Sequence, residues 1–325
     1  MKDITIGIDI GGTNTKFGIV SRDGKIISHG KIKTTDFEEF QDFFNAMVDS
    51  IRKALQPMNG SKLMGIGIGA ANGNYYTGCV ERATNLKWKG VLPLAEMFND
   101  AFDVPCLVTN DANAAAVGEM IFGAAKGMKD FVLITLGTGL GSGFVANGKL
   151  INGHHGIAGE LGHATVNSNG RFCNCGKRGC LETYASATGI KRTVYKLLAD
   201  YLEPSELRGI SFDNLNTRMI TEAANRGDLV ARQAFEYTGR ILGMKLAETA
   251  VHTDPEAIFL FGGLTQAGDL IFKPTIYHLE ENLMPLYRGK IKVLPSILQH
   301  QAAPILGASS LIWDHHNKVK EAVVN

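Results

Sequence analysis

One histidine and three cysteines lie close together in the middle of the chain. His163 ends the segment Gly159-Glu-Leu-Gly-His163, and the pattern Cys173-x-Cys175-x4-Cys180 begins ten residues later. This set supplies the four ligands of a tetrahedral zinc site, and four protein ligands leave no open position for water. The spacing therefore predicts a structural zinc ion bound by His163, Cys173, Cys175 and Cys180.

Two carboxylates flank the predicted zinc ligands. Glu160 precedes His163, and Glu182 follows Cys180. They are either ordinary surface acids or acceptors for the hydroxyl groups of a ligand, since a charged acceptor makes the stronger hydrogen bond. His163 can in addition bind the metal through one ring nitrogen and offer the other to that ligand. Spacing alone leaves both interpretations open.

Two glycine-rich segments have the composition of phosphate-binding turns. They are Asp9-x-Gly11-Gly12-Thr13-Asn14, followed by Lys16, and Gly137-Thr138-Gly139-x-Gly141-x-Gly143. Glycine lets the backbone approach an anion closely and leaves its N–H groups unobstructed. Neither segment is a Walker A loop, because the chain has no Gly-Lys-Ser/Thr, and neither opens a helix as a dinucleotide fingerprint must. Tight hairpins are the alternative, but the pairing of the two segments favours phosphate binding. Gly262-Gly263 is a third candidate.

A further carboxylate follows a predicted buried strand. In Asn110-Asp111-Ala-Asn113, either Asn110 or Asp111 can cap the helix that comes next. If Asn110 is the cap, Asp111 is free to accept a proton from a substrate hydroxyl, which is the base role in phosphoryl transfer. The residues alone do not decide between the two roles.

The elements that must position these groups predict an α/β protein. Residues 4–20 and 131–145 share one plan of strand, glycine-rich turn and strand, which indicates two related α/β domains that face each other. Other patterns predict buried strands at 64–69, 106–109, 257–261 and 291–294. Helical patterns cover residues 36–55, 112–125, 182–202, 229–251 and 270–286, and a last helix begins at Pro304.

Bulk properties exclude several classes of protein. The chain has 325 residues and a net charge of +1 with its basic residues scattered, which argues against a nucleic-acid partner. The N-terminal residues form a strand pattern, and no run approaches the roughly 20 apolar residues of a membrane span. We therefore expect a cytoplasmic protein without a membrane partner. Its five cysteines, three of them clustered, indicate metal binding and not disulfides.

Together these motifs resemble the ROK family of the sugar kinase/actin/Hsp70 superfamily. The resemblance extends from Asp9 to the helix that begins at Pro304, and its most specific part is the segment from Gly159 to Glu182. It implies a two-domain actin/hexokinase/Hsp70-like (ribonuclease H-like) α/β fold with an active-site cleft between the domains. We expect a small domain at residues 1–125, with helix 304–325 packed back on it, and a large domain with the zinc site at 126–303.

The resemblance also implies roles for individual residues. It implies an enzyme that uses ATP and Mg²⁺ to phosphorylate the 6-hydroxyl of a hexose, with Asp111 as the base. The residues implied to hold the sugar are Asn72, Asn85, Asn110, Asp111, Glu160, His163 and Glu182. The residues implied to line the nucleotide, its phosphates and Mg²⁺ are Asp9, Gly11, Gly12, Thr13, Asn14, Lys16, Gly137, Thr138, Gly139, Gly262 and Gly263.

The Cys-x-Cys-x4-Cys form is similar to the family branches that phosphorylate glucose or N-acetylhexosamines. We expect glucose, giving glucose 6-phosphate, with N-acetylmannosamine, N-acetylglucosamine or another hexose as the alternative. Ala71 stands where a proline is usual, which loosens the predicted sugar-side loop. A homodimer is also implied.

Two alternatives belong to different functional classes. A sugar-sensing regulator of the same family carries an N-terminal helix-turn-helix, and only eight residues precede Asp9. An actin-like or chaperone-type ATPase leaves the flanking glutamates without a function.

Overall fold

Two five-stranded sheets with the same strand plan form the framework of the protein. The computed structural model describes residues 2–58, 60–83, 85–298 and 302–324. Its strands are β1 (Lys2–Ile10), β2 (Asn14–Ser21), β3 (Ile26–Lys33), β4 (Ser61–Ala70), β5 (Val80–Glu81), β6 (Val91–Leu92), β7 (Cys106–Thr109), β8 (Phe131–Leu136), β9 (Leu140–Ala146), β10 (Lys149–Leu150), β11 (Ala257–Phe261) and β12 (Lys292–Pro295).

The strand orders are β3-β2-β1-β4-β7 in one sheet and β10-β9-β8-β11-β12 in the other. In each sheet an antiparallel hairpin, β1–β2 or β8–β9, is extended on one side by two parallel strands. The α/β class and the shared plan of the two halves, both predicted from the sequence, are therefore confirmed.

Helices cover these sheets and connect the strands. They are α1 (Phe40–Leu55), α2 (Leu94–Phe102), α3 (Asp111–Phe122), α4 (Ala187–Asp200), α5 (Thr217–Arg226), α6 (Leu229–Thr253), α7 (Asp269–Asn282) and α8 (Ala303–Val324). Among the residues that the structure describes, no helix is both long enough and apolar enough to span a bilayer.

The chain divides into two units. The first unit contains Met1–Met128, Leu150–Gly159 and Ile297–Asn325, and the second contains Lys129–Lys149 and Glu160–Ser296. This division differs from the boundaries expected at 125 and 304, mainly because Leu150–Gly159 falls in the first unit. One contact of this segment within the first unit comes from the buried Asn74 amide, whose Nδ2 donates to the His155 carbonyl at 2.9 Å.

Several helix boundaries differ from the sequence prediction. The helix expected from residue 182 begins at Ala187, because Leu181–Thr183 forms a separate 3-10 turn and Ser186 caps α4 by accepting from the Gly189 N–H. The helix expected from residue 36 begins at Phe40. Helices α2 and α5 were not predicted. Strands β7 and β11 have the predicted bounds.

Both faces of the first sheet are buried along β1, where the isoleucines and the intervening Thr5 are all inaccessible to solvent. Helix α8 packs so closely on this sheet that its backbone occupies the space where strand side chains would otherwise lie. A Cβ on Gly67 of β4 would lie 1.8 Å from the Ala308 carbonyl oxygen, and one on Gly7 of β1 would lie 2.0 Å from that of Ile305. Only glycine allows this approach.

We predict that Gly67→Ala destabilises the protein by about 3 kcal/mol, because α8 must move away from the sheet to admit the methyl group. Urea unfolding followed by circular dichroism measures the change. Gly263→Ala is the control, since nothing lies within 4 Å of the position of its Cβ. Equal stability of the Gly67→Ala and Gly263→Ala proteins would contradict the close packing of α8 on the sheet.

Candidate functional site

The carboxyl ends of three parallel strands bring the candidate acids of the first unit to one edge. Asp9 on β1 is in register with Gly69 on β4, and Gly69 is in register with Thr109 on β7. Asn110 and Asp111 follow Thr109 directly. A Cβ built on Gly69 would lie 3.8 Å from the Asp111 Cα. The acid that heads the first glycine-rich turn and the candidate base therefore share this edge, where ligands of α/β sheets commonly bind.

Asn110 is the residue that caps α3. Its side-chain oxygen accepts from the Asn113 N–H at 2.6 Å, while the Asp111 Oδ1 accepts from the adjacent Ala112 N–H at 2.9 Å. The Asp111 side chain is exposed. Since the cap is provided by its neighbour, the Asp111 carboxylate remains accessible to a ligand.

Surrounding protein raises the pKa values of both acids. The pKa of Asp9 rises to about 6, first because the carboxyl is removed from water and second because the Asp111 charge repels it; Lys16, directly opposite on β2, acts in the other direction. Loss of hydration also raises the pKa of Asp111, although its side chain remains accessible at the surface. Two acids that resist ionisation together mark a site suited to a cation or to proton transfer.

The first glycine-rich turn closes on itself. The Gly11 N–H donates to the Asn14 carbonyl at 3.1 Å, so this glycine shapes the turn. A Cβ on Gly12 would lie 2.2 Å from the Asn85 carbonyl oxygen. Asn85 therefore packs against the turn through its backbone, and it is exposed. Thr13 is also exposed and accepts from the Thr34 N–H through its carbonyl.

Asn72 helps to hold its own loop in place. It has a φ of 57°, and its Nδ2 donates to the carbonyls of Glu81 and Arg82 at 3.0 and 3.4 Å. Asn74 is buried and accepts from the Tyr76 N–H. Asn74 was not predicted as a functional residue, although the Asn-Gly-Asn run that contains it is a turn signal.

In the second unit the Gly137–Gly139 turn is attached to the start of α4. The Gly137 N–H donates to the Gly139 carbonyl, and the Gly137 and Thr138 carbonyls accept from the Ala187 and Thr188 N–H groups at 2.9 and 3.4 Å. The carbonyls of the turn are thereby directed toward the helix. Thr138 is exposed.

Gly262 and Gly263 lie at the same edge of the second sheet as this turn, because β11 runs parallel to β8. Gly262 has a φ of 115°, and a Cβ there would lie 2.6 Å from the Leu136 carbonyl oxygen, so only glycine fits. Nothing lies within 4 Å of the Cβ position of Gly263. The pair therefore offers an unobstructed backbone beside the Gly137 turn.

The four predicted metal ligands come together. One ligand atom from each of His163, Cys173, Cys175 and Cys180 lies within 4.8 Å of all the others. The Cys173 Sγ is 3.5 Å from the His163 Nδ1, and the Cys175 and Cys180 sulfurs are 3.6 Å apart. A tetrahedral zinc ion would space its ligand atoms by roughly 3.6–3.8 Å. The donor set and its spacing therefore fit zinc.

Both flanking carboxylates contact this cluster. Glu160 Oε2 lies 3.9 Å from the His163 Nε2, and Glu182 Oε1 lies 3.8 Å from the Nδ1 of the same ring. The other oxygen of Glu182 lies 2.7 Å from where a Cβ of Gly139 would stand. Glu182 therefore joins the metal-ligand cluster to the Gly137–Gly139 turn.

Known proteins resemble this chain over most of its length. The sequence profile of the ROK family matches residues 5–315. A glucokinase of Halalkalibacterium halodurans is 35% identical over 323 residues, or 97% of each chain. A xylose repressor of Caldicellulosiruptor bescii is 29% identical over 94% of this chain and 77% of its own length.

A solved structure also resembles this chain over most of its length. A ROK family glucokinase from Streptomyces griseus, in complex with glucose and AMPPNP, superposes with a TM-score of 0.77. It is 34% identical in sequence, and the match covers 95% of this chain and 98% of that one. The two-domain actin-like fold expected from the sequence is thereby confirmed.

We predict that Asp111→Asn lowers the pKa of Asp9 from about 6, because a repelling negative charge is removed. Carbon-13 NMR titration of the labelled carboxyl groups measures this pKa. Asp3→Asn, at the opposite end of β1, is the control and should leave Asp9 unchanged. An Asp9 pKa that does not respond to Asp111→Asn would refute the coupling.

Proposed function

The chain belongs to the ROK family, and from this membership and its site we propose that it is an ATP-dependent sugar kinase that phosphorylates glucose. The proposal includes transfer to the 6-hydroxyl, giving glucose 6-phosphate. Relatives named glucokinase match nearly the whole chain, and one of them was crystallised with glucose and AMPPNP.

The observation that carries the proposal is the position of Asp111. Its carboxylate is accessible, lies at the edge where β1, β4 and β7 end, and is not needed as the cap of α3. A base with a raised pKa accepts a proton more readily near neutral pH than an ordinary aspartate does. Asp111 would orient the sugar hydroxyl and take its proton as the phosphoryl group is transferred.

The glycine-rich turns would hold the nucleotide. Gly12, Thr13, Thr138 and Gly139 would approach the phosphates, with Asn14 and Lys16 beside the first turn and Gly262 and Gly263 beside the adenosine. Asp9 suits Mg²⁺, because a hard cation prefers carboxylate oxygen and would relieve the repulsion between Asp9 and Asp111. When bound, Mg²⁺ neutralises charge on the transferring phosphate.

Several polar side chains are proposed to bind the sugar. Asn85 and Asn110 would contribute, and Asn72 would act mainly by fixing the shape of its loop. Glu160 and Glu182 would accept hydrogen bonds from sugar hydroxyls, and the ring nitrogen of His163 that does not bind zinc would donate one. Charged acceptors make such bonds strong and directional.

The zinc ion in this proposal is structural. His163, Cys173, Cys175 and Cys180 would hold it, and it would fix the backbone just before Glu182. We also infer a homodimer with no nucleic-acid partner, as for a metabolic kinase.

We expect glucose to be the best acceptor when ADP release is measured with glucose, mannose, fructose, N-acetylglucosamine and N-acetylmannosamine. Asp111→Asn should lower kcat by about 1000-fold while glucose still binds, because the proton acceptor is lost and the contacts to the sugar are kept. Isothermal titration calorimetry measures the binding.

Asp49→Asn, on the outer part of α1, is the matched control and should keep full activity. A preference for an acetylated sugar would redirect the proposal to the N-acetylhexosamine kinases. Sugar binding without turnover in the wild type would instead favour a regulator such as the xylose repressor.

We predict one zinc ion per chain by elemental analysis. Cys175→Ser should remove it and lower the free energy of unfolding by more than about 3 kcal/mol, because metal binding energy at such sites is folding energy. Cys79→Ser, outside the cluster, should retain both zinc and stability. A stable, active Cys175→Ser protein without zinc would show that the metal is dispensable.

A further inference from the structure

Arg171 lies in the loop before the metal ligand Cys173, and its side chain extends away from the cluster. Its guanidinium donates to the Thr183 carbonyl at 2.7 Å, to the Gly189 carbonyl at 3.0 Å and to the Thr193 hydroxyl at 2.9 Å. It also lies 4.5 Å from the centre of the Tyr184 ring. One side chain therefore holds the end of the Leu181–Thr183 turn and the first turns of α4 together.

The backbone of Arg171 is fixed within the metal-ligand loop. Its carbonyl accepts from the Gly179 N–H at 2.8 Å, and its N–H donates to the Tyr184 hydroxyl at 3.1 Å. The preceding Gly170 presses against that hydroxyl, since a Cβ there would lie 2.1 Å from the oxygen. Arg171 thus has a defined position from which its side chain can act.

The two elements that Arg171 joins each carry part of the proposed site. Glu182 directly precedes Thr183, whose carbonyl the guanidinium binds. The α4 residues Ala187 and Thr188 hold the Gly137–Gly139 turn through their N–H groups, and Gly189 follows them. The hydrogen bonds of the Arg171 guanidinium therefore help to fix the distance between Glu182 and the Gly137–Gly139 turn.

The positive charge of the Arg171 guanidinium is not balanced by a neighbouring carboxylate in the part of the chain that the structure describes. No carboxylate among the described residues forms an ion pair with it, and the hydrogen bonds of its guanidinium go to two carbonyls and one hydroxyl. The positive end of the α4 dipole lies beside it as well. A planar, five-donor fork explains the arrangement better than charge pairing does, because it can bind three acceptors on two elements at once.

We propose that Arg171 is a positioning residue that holds Glu182 and the Gly137–Gly139 turn in a fixed relation, so that sugar and nucleotide sites are formed together. This inference rests on the proposed kinase function. It assigns Arg171 no contact with either substrate.

Steady-state kinetics of Arg171→Met test the proposal. We expect the KM values for glucose and for MgATP each to rise about tenfold, since both sites lose their common support. Glu182→Gln should raise the glucose KM without a comparable rise for MgATP. A merely structural role would reduce the amount of active enzyme, lowering kcat and leaving both KM values unchanged.

Arg192→Met is the matched control. Arg192 binds the Phe172 carbonyl at 2.9 Å, next to Arg171, but it reaches neither Thr183 nor Gly189. Thr193→Val is a milder variant that removes one acceptor of the guanidinium, and it should shift both KM values in the same direction by a smaller factor. It keeps the proposal testable if Arg171→Met folds poorly.

Amide hydrogen exchange gives a result that does not depend on activity. The Ala187 and Thr188 N–H groups should exchange about tenfold faster in Arg171→Met than in Arg192→Met. Unchanged exchange there, or unchanged KM values for both substrates in an active enzyme, would overturn the positioning role. Absence of turnover in the wild type would refute the kinase function, while the exchange experiment would still decide the role of Arg171.

Discussion

The parallel alignment of β1, β4 and β7 determines where this protein can place its acids. Asp9, Gly69 and Thr109 are in register, so that whatever follows these strands meets at one edge. The absence of a side chain at Gly69 lets the Asp111 backbone lie close to β4. On the same face of the sheet, Gly7 and Gly67 let the backbone of α8 approach the strands. The acids are therefore fixed by the pairing of the strands, and not by their own side-chain contacts alone.

The second unit repeats the strand plan and adds a metal-ligand loop to it. The loop holds the residues on both sides of Glu182, since Cys180 supplies a ligand and Thr183 is bound by Arg171. The same region is connected to the glycine-rich turn through α4. A carboxylate placed between a metal-ligand cluster and a glycine-rich turn has little freedom to move, as its proposed contact with a sugar requires.

Sequence was most informative where function depends on local spacing. The four metal ligands and the turns at Asp9 and Gly137 are short motifs, and the structure brings the ligand atoms within 4.8 Å of one another. The start of α4 was misplaced because the pattern from Glu182 is helical, whereas the metal-ligand loop keeps that residue in a 3-10 turn. Arg171 was not predicted, because its acceptors are mostly backbone carbonyls, which every residue type has. Glu160 and Glu182 were ambiguous for a similar reason, since only their contacts distinguish them from surface acids.

Repulsion between Asp9 and Asp111 couples the proposed cation ligand to the proposed catalytic base. It adds to the loss of hydration that raises the pKa of Asp9, while loss of hydration raises the pKa of Asp111. Lys16, opposite Asp9, offsets only part of this effect, because the pKa of Asp9 remains near 6. Further positive charge beside Asp9, which the cation of a bound nucleotide would supply in the proposed reaction, would lower the pKa of Asp9 again. Asp9 would therefore be most readily ionised when the proposed nucleotide and its cation are bound.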